Sequence, residues 1–387
     1  MSGIDRRGAL LGIGATALSA ASASAMPGAG EARKQPRDSL ASVARRAGLA
    51  FGSAFAWSAP GADRGSFANP AYARLLEREC ALLVPENEMK WQRLRPAPDA
   101  FDFARFDAMV RYARKHGFAV RGHTLLWHQT KWMPKWEATH DFGSRPASAA
   151  AALLTRHIDT VCARYGKSIY SYDVVNEAVN PDDSDLHQTA LTRAIGGGSA
   201  AIDLAFHTAR AAAPHAELAY NDYMSWEPGN AKHRAGVLRL LEGMRKRGVP
   251  VDVLGVQSHL ITQGTDTGVA VSRLQTDWRR FLDDVTAMGY RLSITELDVR
   301  DNNLPADPAV RDRAVADFTR AYLDVMFDYP ALKDVLAWGM TDRYSWIEGF
   351  EPRGDRARRR PCPYDDAFRA KPMRSAIAGA LASVRRG

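Results

Sequence analysis

Residues 170–177 read Tyr170-Ser171-Tyr172-Asp173-Val174-Val175-Asn176-Glu177, a short β-branched and aromatic run that ends in an amide and a carboxylate. Such a run reads as a buried strand, and strand packing has no need of a carboxylate at its carboxyl end. The same pattern recurs on either side. Apolar runs occupy Gly48 to Phe55, Ala81 to Pro85, Phe118 to Leu125, Tyr170 to Val175, Ala216 to Tyr220, Val251 to Gln257, Arg291 to Thr295 and Val335 to Met340. Longer stretches of helical period separate them. Phe103, Phe106, Met109, Val110 and Ala113 precede the third run, and Leu274, Trp278, Phe281, Val285 and Met288 precede the seventh. Ala-rich segments such as Ser148 to Leu154 and Ala201 to Ala213 add helix propensity. Strands that alternate with helices in this number predict an α/β fold, a (β/α)8 TIM barrel, rather than an open doubly wound sheet. No glycine-rich dinucleotide or phosphate loop follows the first run, where a nucleotide-binding sheet would carry one.

The chain has 387 residues, 46% hydrophobic and 25% charged, and no linker divides it after residue 40. A single catalytic domain over residues 38–387 is expected, preceded by an export signal and the start of the mature chain in residues 1–30. Arg6 and Arg7 precede an apolar run from Ala9 to Ala20, and Ala23-Ser24-Ala25 offers small residues for cleavage near residue 25. The paired arginines resemble a twin-arginine signal. A secreted protein, extracellular or periplasmic, is the expectation. The apolar run is shorter than the ~20 residues that span a bilayer, so no stable membrane association is expected. The three cysteines, Cys80, Cys162 and Cys362, allow at most one disulfide, and their spacing fits neither a zinc ribbon nor a redox pair.

The formal charge of +8 becomes +7 when residues 1–25 are removed, since Arg6, Arg7 and Asp5 leave together. The one dense basic block, Arg353 to Arg360, has no aromatic stripe or helix-turn-helix beside it, so no nucleic-acid partner is expected.

Polar chemistry gathers at the carboxyl ends of the runs: Glu86-Asn87-Glu88-Met89-Lys90-Trp91, His123 with Trp127-His128-Gln129, Asn176-Glu177, Asn221-Asp222-Tyr223, Gln257-Ser258-His259, Glu296-Leu297-Asp298 and Thr341-Asp342-Arg343. In a barrel those ends share one face, the face on which active sites form. Any one member alone reads as capping or a surface turn, but fold stability does not ask for all of them together. Glu177 and Glu296 each follow a β-branched run, and a pair of carboxyl groups across a barrel mouth suits glycoside hydrolysis, in which one protonates the leaving oxygen and the other stays ionised. His259 and Asp298 are expected beside Glu296, holding it ionised and oriented. Glu177 is expected in a more apolar setting that raises its pKa toward ~6 or above. Asn176 is placed to reach a sugar 2-hydroxyl. Trp91, Trp127, Trp338, Trp346 and Tyr223 lie where flat rings could stack on pyranose faces, although core packing competes for each. No metal or other cofactor is expected, because His123 and His128 are five apart with no H-E-x-x-H pattern. There is no G-x-S-x-G elbow for serine chemistry.

Seven stretches closely resemble glycoside hydrolase family 10, the endo-β-1,4-xylanases: V-P-E-N-E-M-K-W (84–91), R-G-H-T-L-L-W-H (121–128), D-V-V-N-E-A-V (173–179), Y-N-D-Y (220–223), V-Q-S-H-L (256–260), I-T-E-L-D-V (294–299) and W-G-M-T-D-R-Y-S-W (338–346). They run in family order and span nearly the whole chain after about residue 40. The resemblance implies a retaining enzyme that cuts internal bonds of xylan, with Glu177 as acid/base and Glu296 as nucleophile. It also implies that His259, supported by Asp298, bonds to the nucleophile. Glu86, Asn87 and Lys90 would grip the second sugar on the non-reducing side, and His123, Asn176 and Gln257 would contact the sugar being cleaved. Trp127, Trp338 and Trp346 would wall that site, with Tyr223 toward the aglycone. Xylan and xylo-oligosaccharides are the implied partners, and a monomer is expected.

The sequence departs from the family pattern at Tyr172, where a tryptophan is usual, in M-S-W-E-P-G-N after Tyr223, and in the arginine block. That block could border the cleft and pair with the carboxylate of a glucuronic-acid branch, or it could point to bulk water. A related barrel glycosidase acting on β-glucan is the alternative reading. Trp346 over the cleaved sugar would argue against it by excluding the 6-hydroxymethyl arm of glucose.

Overall fold

Strands β1 (Ala50–Phe55), β2 (Leu82–Pro85), β3 (Ala119–Trp127), β4 (Ile169–Asn176), β5 (Glu217–Asp222) and β6 (Val253–Val256) pair in chain order, all parallel. β8 (Arg291–Arg300) joins β6, with Val253 opposite Arg291, and β9 (Leu332–Ala337) returns to β1, with Ala50 opposite Asp334, so the barrel closes. The remaining strand, β7 (His259–Ile261), lies outside the ring and pairs only with β8. This computed structural model describes residues 35–384. The export segment expected in residues 1–30 falls outside them.

The alternation of a strand divides the apolar side chains into two sets. Ala50, Ala54, Leu82, Val84, Tyr170, Leu336 and Trp338 form a small cluster inside the barrel. Phe51, Phe55, Leu83, Val335 and Ala337 turn outward into the large core beneath the helices. Gly52 leaves no room for a side chain, because a Cβ there would lie 2.5 Å from the Leu82 Cβ. The helices read from the sequence form as Ala104–Lys115 and Thr267–Ala287, with Phe106, Met109, Val110, Leu274, Trp278 and Phe281 on their buried faces.

Strand bounds depart from those of the apolar runs, as β3, β8 and β9 show. β3 continues past Leu125 to Trp127, through an irregularity in its pairing with β4 between His123 and Leu126. β8 continues past Thr295 to Arg300. There Leu297 and Val299 enter the core while Glu296, Asp298 and Arg300 alternate with them, so a strand with one polar face ends the apolar run early. β9 begins at Leu332, ahead of its apolar run, whose start exposed Lys333 and buried Asp334 delay to Val335, and it ends at Ala337.

The three cysteines are buried thiols, none in a disulfide. Among the described residues no helix is long and apolar enough to cross a membrane. Near the ends of the described chain, the helices Leu40–Arg46 and Pro372–Ser383 meet at buried Glu79. Its carboxylate accepts from Leu40 N at 2.8 Å, Arg374 Nη2 at 3.1 Å and the Tyr364 hydroxyl at 2.7 Å.

Candidate active site

β4 delivers Asn176, and the chain then turns sharply. Glu177 has φ 52°, in the left-handed region that non-glycine residues rarely adopt, and its N–H donates to the Asn221 carbonyl at 2.9 Å. Its carboxyl accepts from Trp127 Nε1 at 2.9 Å, Gln129 Nε2 at 3.0 Å and Gln257 Nε2 at 2.9 Å. The carboxyl is buried beside an aromatic ring, but with more polar donors than the expected apolar setting implies. Burial raises the Glu177 pKa and, with the like charges of Asp222 and Glu296, outweighs the bonds from Gln257 and Trp127, bringing it to about 7.

Glu296 projects from β8 with a different set of neighbours. One oxygen accepts from Asn221 Nδ2 at 2.8 Å, and the other faces His259 Nε2 at 3.2 Å. His259 Nδ1 lies 2.9 Å from Asp298, whose second oxygen accepts from Trp346 Nε1 at 2.8 Å. Burial disfavours the imidazolium, but Asp298 and then Glu296 outweigh it and lift His259 to about 10, so at neutral pH both ring nitrogens donate. Burial also opposes ionisation of Glu296, yet the His259 bond and the charges of His123 and His259 hold its pKa below the usual value.

Amides join the two carboxyl groups. Gln257 Nε2 reaches Glu177 and, at 3.3 Å, Asn176 Oδ1, while Asn221 Nδ2 reaches Asn176 Oδ1 at 2.8 Å as well as Glu296. Asn221 fits because β6 carries Gly255 opposite it, where a Cβ would overlap the Asn221 amide oxygen. Asn176 Nδ2 is buried and has no hydrogen-bond partner in the protein.

A cleft of about 500 Å³ opens over these groups. Glu86, Asn87, Lys90, His123, Trp127, Glu177, Tyr223, Gln257, His259, Glu296, Trp338 and Trp346 line it, while Asn176 and Asp298 stand behind the wall. Lys90 Nζ donates to Asn87 Oδ1 at 3.1 Å and lies 4.5 Å from the centre of the Trp127 ring. Burial lowers the Lys90 pKa against the pull of Glu296 and Glu86, and burial raises that of Glu86. His123 turns Nδ1 to Asp173 at 2.9 Å. Trp91, a stacking candidate from the sequence, is instead a core residue packed on His157 at 4.0 Å.

The cleft also contains residues to which the sequence assigned no role. Gln129 follows β3, and Trp132 stacks on Trp127 with ring centres 4.7 Å apart. Lys131, Gln92, Arg300 and Phe350 complete the lining. The polarity of the strand-end segments signalled Gln129 and Asn221, but nothing local marked Trp132 or Arg300. Among the described residues, no three His, Cys, Asp or Glu side chains are grouped to hold a metal ion.

The arginine block follows neither of its two expected courses. Arg359 is buried against Asp301 at 3.3 Å, Arg353 donates to the Leu304 carbonyl at 2.8 Å and pairs with Asp355, and Arg360 pairs with Asp312. Arg358 pairs with Asp366. None of these arginines lines the cleft. Local acidic partners absorb the charge that the sequence presents as a dense positive run.

Residues 39–380 match the family described as Glycosyl hydrolase family 10. The chain is 34% identical to endo-1,4-beta-xylanase 1 of Humicola insolens over 347 residues, 89% of this chain and 74% of that protein. Its fold is similar to that of native xylanase 10B from Thermotoga maritima, with a TM-score of 0.76 and 30% identity over 89% of this chain and 98% of that one. It is equally similar to xylanase 10B from Thermotoga petrophila RKU-1 in complex with xylobiose, with a TM-score of 0.76 and 29% identity over 91% of this chain and 98% of that one.

Proposed function

The chain belongs to glycosyl hydrolase family 10, and from that premise we propose how its cleft cuts xylan. The protein is a retaining endo-1,4-β-xylanase that hydrolyses internal β-1,4-xylosidic bonds by double displacement. Glu177 is the acid/base and Glu296 the nucleophile. What supports this assignment is that two buried carboxyl groups of one cleft are driven to opposite protonation states, Glu177 to about 7 and Glu296 below its usual value.

In the first step the Glu177 proton passes to the glycosidic oxygen as that bond to the anomeric carbon breaks. A Glu296 oxygen takes its place, forming a glycosyl ester. The charge on Glu296 disappears in that ester, which removes a like charge from beside Glu177 and lowers its pKa. Glu177 then accepts a proton from water as the water attacks the anomeric carbon and releases Glu296. The His259 imidazolium orients the nucleophile, with Asp298 behind it. The unpartnered Asn176 Nδ2 is a donor suited to the 2-hydroxyl of the sugar being cleaved, where a hydrogen bond strengthens in the transition state.

In the same reading Glu86, Asn87 and Lys90 hold the next sugar on the non-reducing side, and His123 and Gln257 contact the cleaved one. Trp127, Trp338 and Trp346 wall it, and Tyr223 faces the aglycone. The substrate is xylan or a xylo-oligosaccharide, and the enzyme acts as an exported monomer, which the oligomeric state and first residue of the secreted protein test.

Azide rescue separates the two glutamates. With an activated aryl xylobioside, Glu296→Ala plus azide gives the α-xylobiosyl azide by one inversion, whereas Glu177→Ala plus azide gives the β-azide through the ester. The same anomer from both variants, or full activity in either without azide, contradicts the assignment.

A further inference from the structure

We propose that a buried relay behind the cleft, His233–Asp222–Tyr220, positions Glu177 and sets the pH at which it gives up its proton. The inference rests on the reading of Glu177 as acid/base. None of the three side chains lines the cleft, so each would act as a positioning residue through Glu177.

The contacts run in one line. His233, on the helix Ala231–Lys246, places Nε2 3.0 Å from Asp222 Oδ1 at the end of β5, with both side chains fully buried. The Tyr220 hydroxyl donates to the other Asp222 oxygen and accepts from the N–H of Ala178 at 3.2 Å. Ala178 directly follows Glu177, whose φ of 52° needs support from its surroundings. The Ala178 carbonyl is held in turn by His187 N–H at 2.9 Å. The relay therefore grips the backbone on the far side of the turn that aims the Glu177 carboxyl.

The same groups act electrostatically. Asp222 and Tyr220 from β5, the Tyr223 ring at 4.5 Å, Glu177 at the end of β4, His187 in the loop beyond it and Arg234 on the same helix all face His233 or its immediate partners. Asp182 and Asp183, in the loop after β4, act on Tyr223 and His187. Burial favours a neutral His233, but Asp222 and then Glu177 outweigh it and raise its pKa. When protonated, His233 offsets the charge of Asp222, which otherwise pushes Glu177 upward. A buried ion pair is a weak source of stability compared with apolar packing. Its link to the acid/base through the Tyr220 hydroxyl and the Ala178 N–H gives it a use in tuning.

The test is the pH dependence of kcat/KM on a xylo-oligosaccharide, with folding checked by near-ultraviolet circular dichroism. His233→Gln leaves Asp222 uncompensated and moves the basic limb to higher pH, by about half a unit or more. Asp222→Asn removes the repelling charge and moves the same limb to lower pH by a similar amount. The acidic limb, set by Glu296, stays in place in both. Tyr220→Phe, nearly isosteric, frees Ala178 and lowers kcat at least several-fold with KM little changed, so the proposal remains testable if Asp222→Asn does not fold. Glu177→Gln is the control, in which residual activity has no basic limb. If the limb persists in that control, the acid/base reading fails and the relay with it. If the limb vanishes there but stays fixed, or moves in one direction only, in His233→Gln and Asp222→Asn, Glu177 stands and the relay is overturned. Unchanged kcat in Tyr220→Phe also overturns it.

Discussion

Glu177 and Glu296 carry the same functional group and differ only in what faces them. One accepts three neutral N–H bonds while two like charges lie close by, and the other faces an imidazolium. On the proposed mechanism, activity requires Glu177 protonated and Glu296 ionised. The kcat/KM of the wild-type protein should therefore fall as pH rises through about 7, and fall again as pH drops through a value below the ordinary carboxylate range. A profile measured on a xylo-oligosaccharide that stays flat through neutral pH would contradict the Glu177 environment described here. Both glutamates were legible from sequence because each ends a β-branched run. Asn221 was legible only as a polar residue. Its bridging role depends on β5 lying beside both β4 and β6 and on the missing side chain at Gly255, which no local pattern displays.

At the scale of elements, eight strands could be located from apolar runs, and the boundary missed by the most residues, the end of β8, has a physical cause. Where a strand carries the site, its cleft-facing side chains are polar, so the hydrophobic run stops while the hydrogen-bonded ladder continues. β8 shows this best, since Glu296, Asp298 and Arg300 sit on a strand that composition ends at Thr295. The segment 353–360 shows the converse limit, because sequence displays its charge but not the acidic partners that fold against it. Asp301 is fully buried among Arg311 at 2.9 Å, Arg359 at 3.3 Å and Arg353 at 3.6 Å. Asp301→Asn strands these guanidinium groups and should cost about 3 kcal/mol of stability, read from denaturant unfolding. Arg356→Gln, at an exposed position, should stay within about 0.5 kcal/mol of wild type. Equal stabilities for the two variants would remove the structural role given to the segment.

Across the whole molecule, the barrel brings residues from 86 to 350 to one mouth, and the two carboxyl groups with their partners alone draw on residues 127 to 298. The helices that clasp Glu79 tie the beginning of the described chain to its end, while the β1–β9 and β6–β8 pairings close the ring. On the proposed mechanism, this closed barrel presents Glu296 as the one carboxylate that bonds to the sugar. In an activated 2-deoxy-2-fluoro-xylobioside the fluorine destabilises the transition state of each step, while the good leaving group keeps the first step faster than the second, so the ester accumulates. The mass of the intact protein after exposure should rise by one fluoro-xylobiosyl unit, and peptide mapping should place that unit on Glu296. No increase in mass, or an adduct on any other residue, would contradict the account.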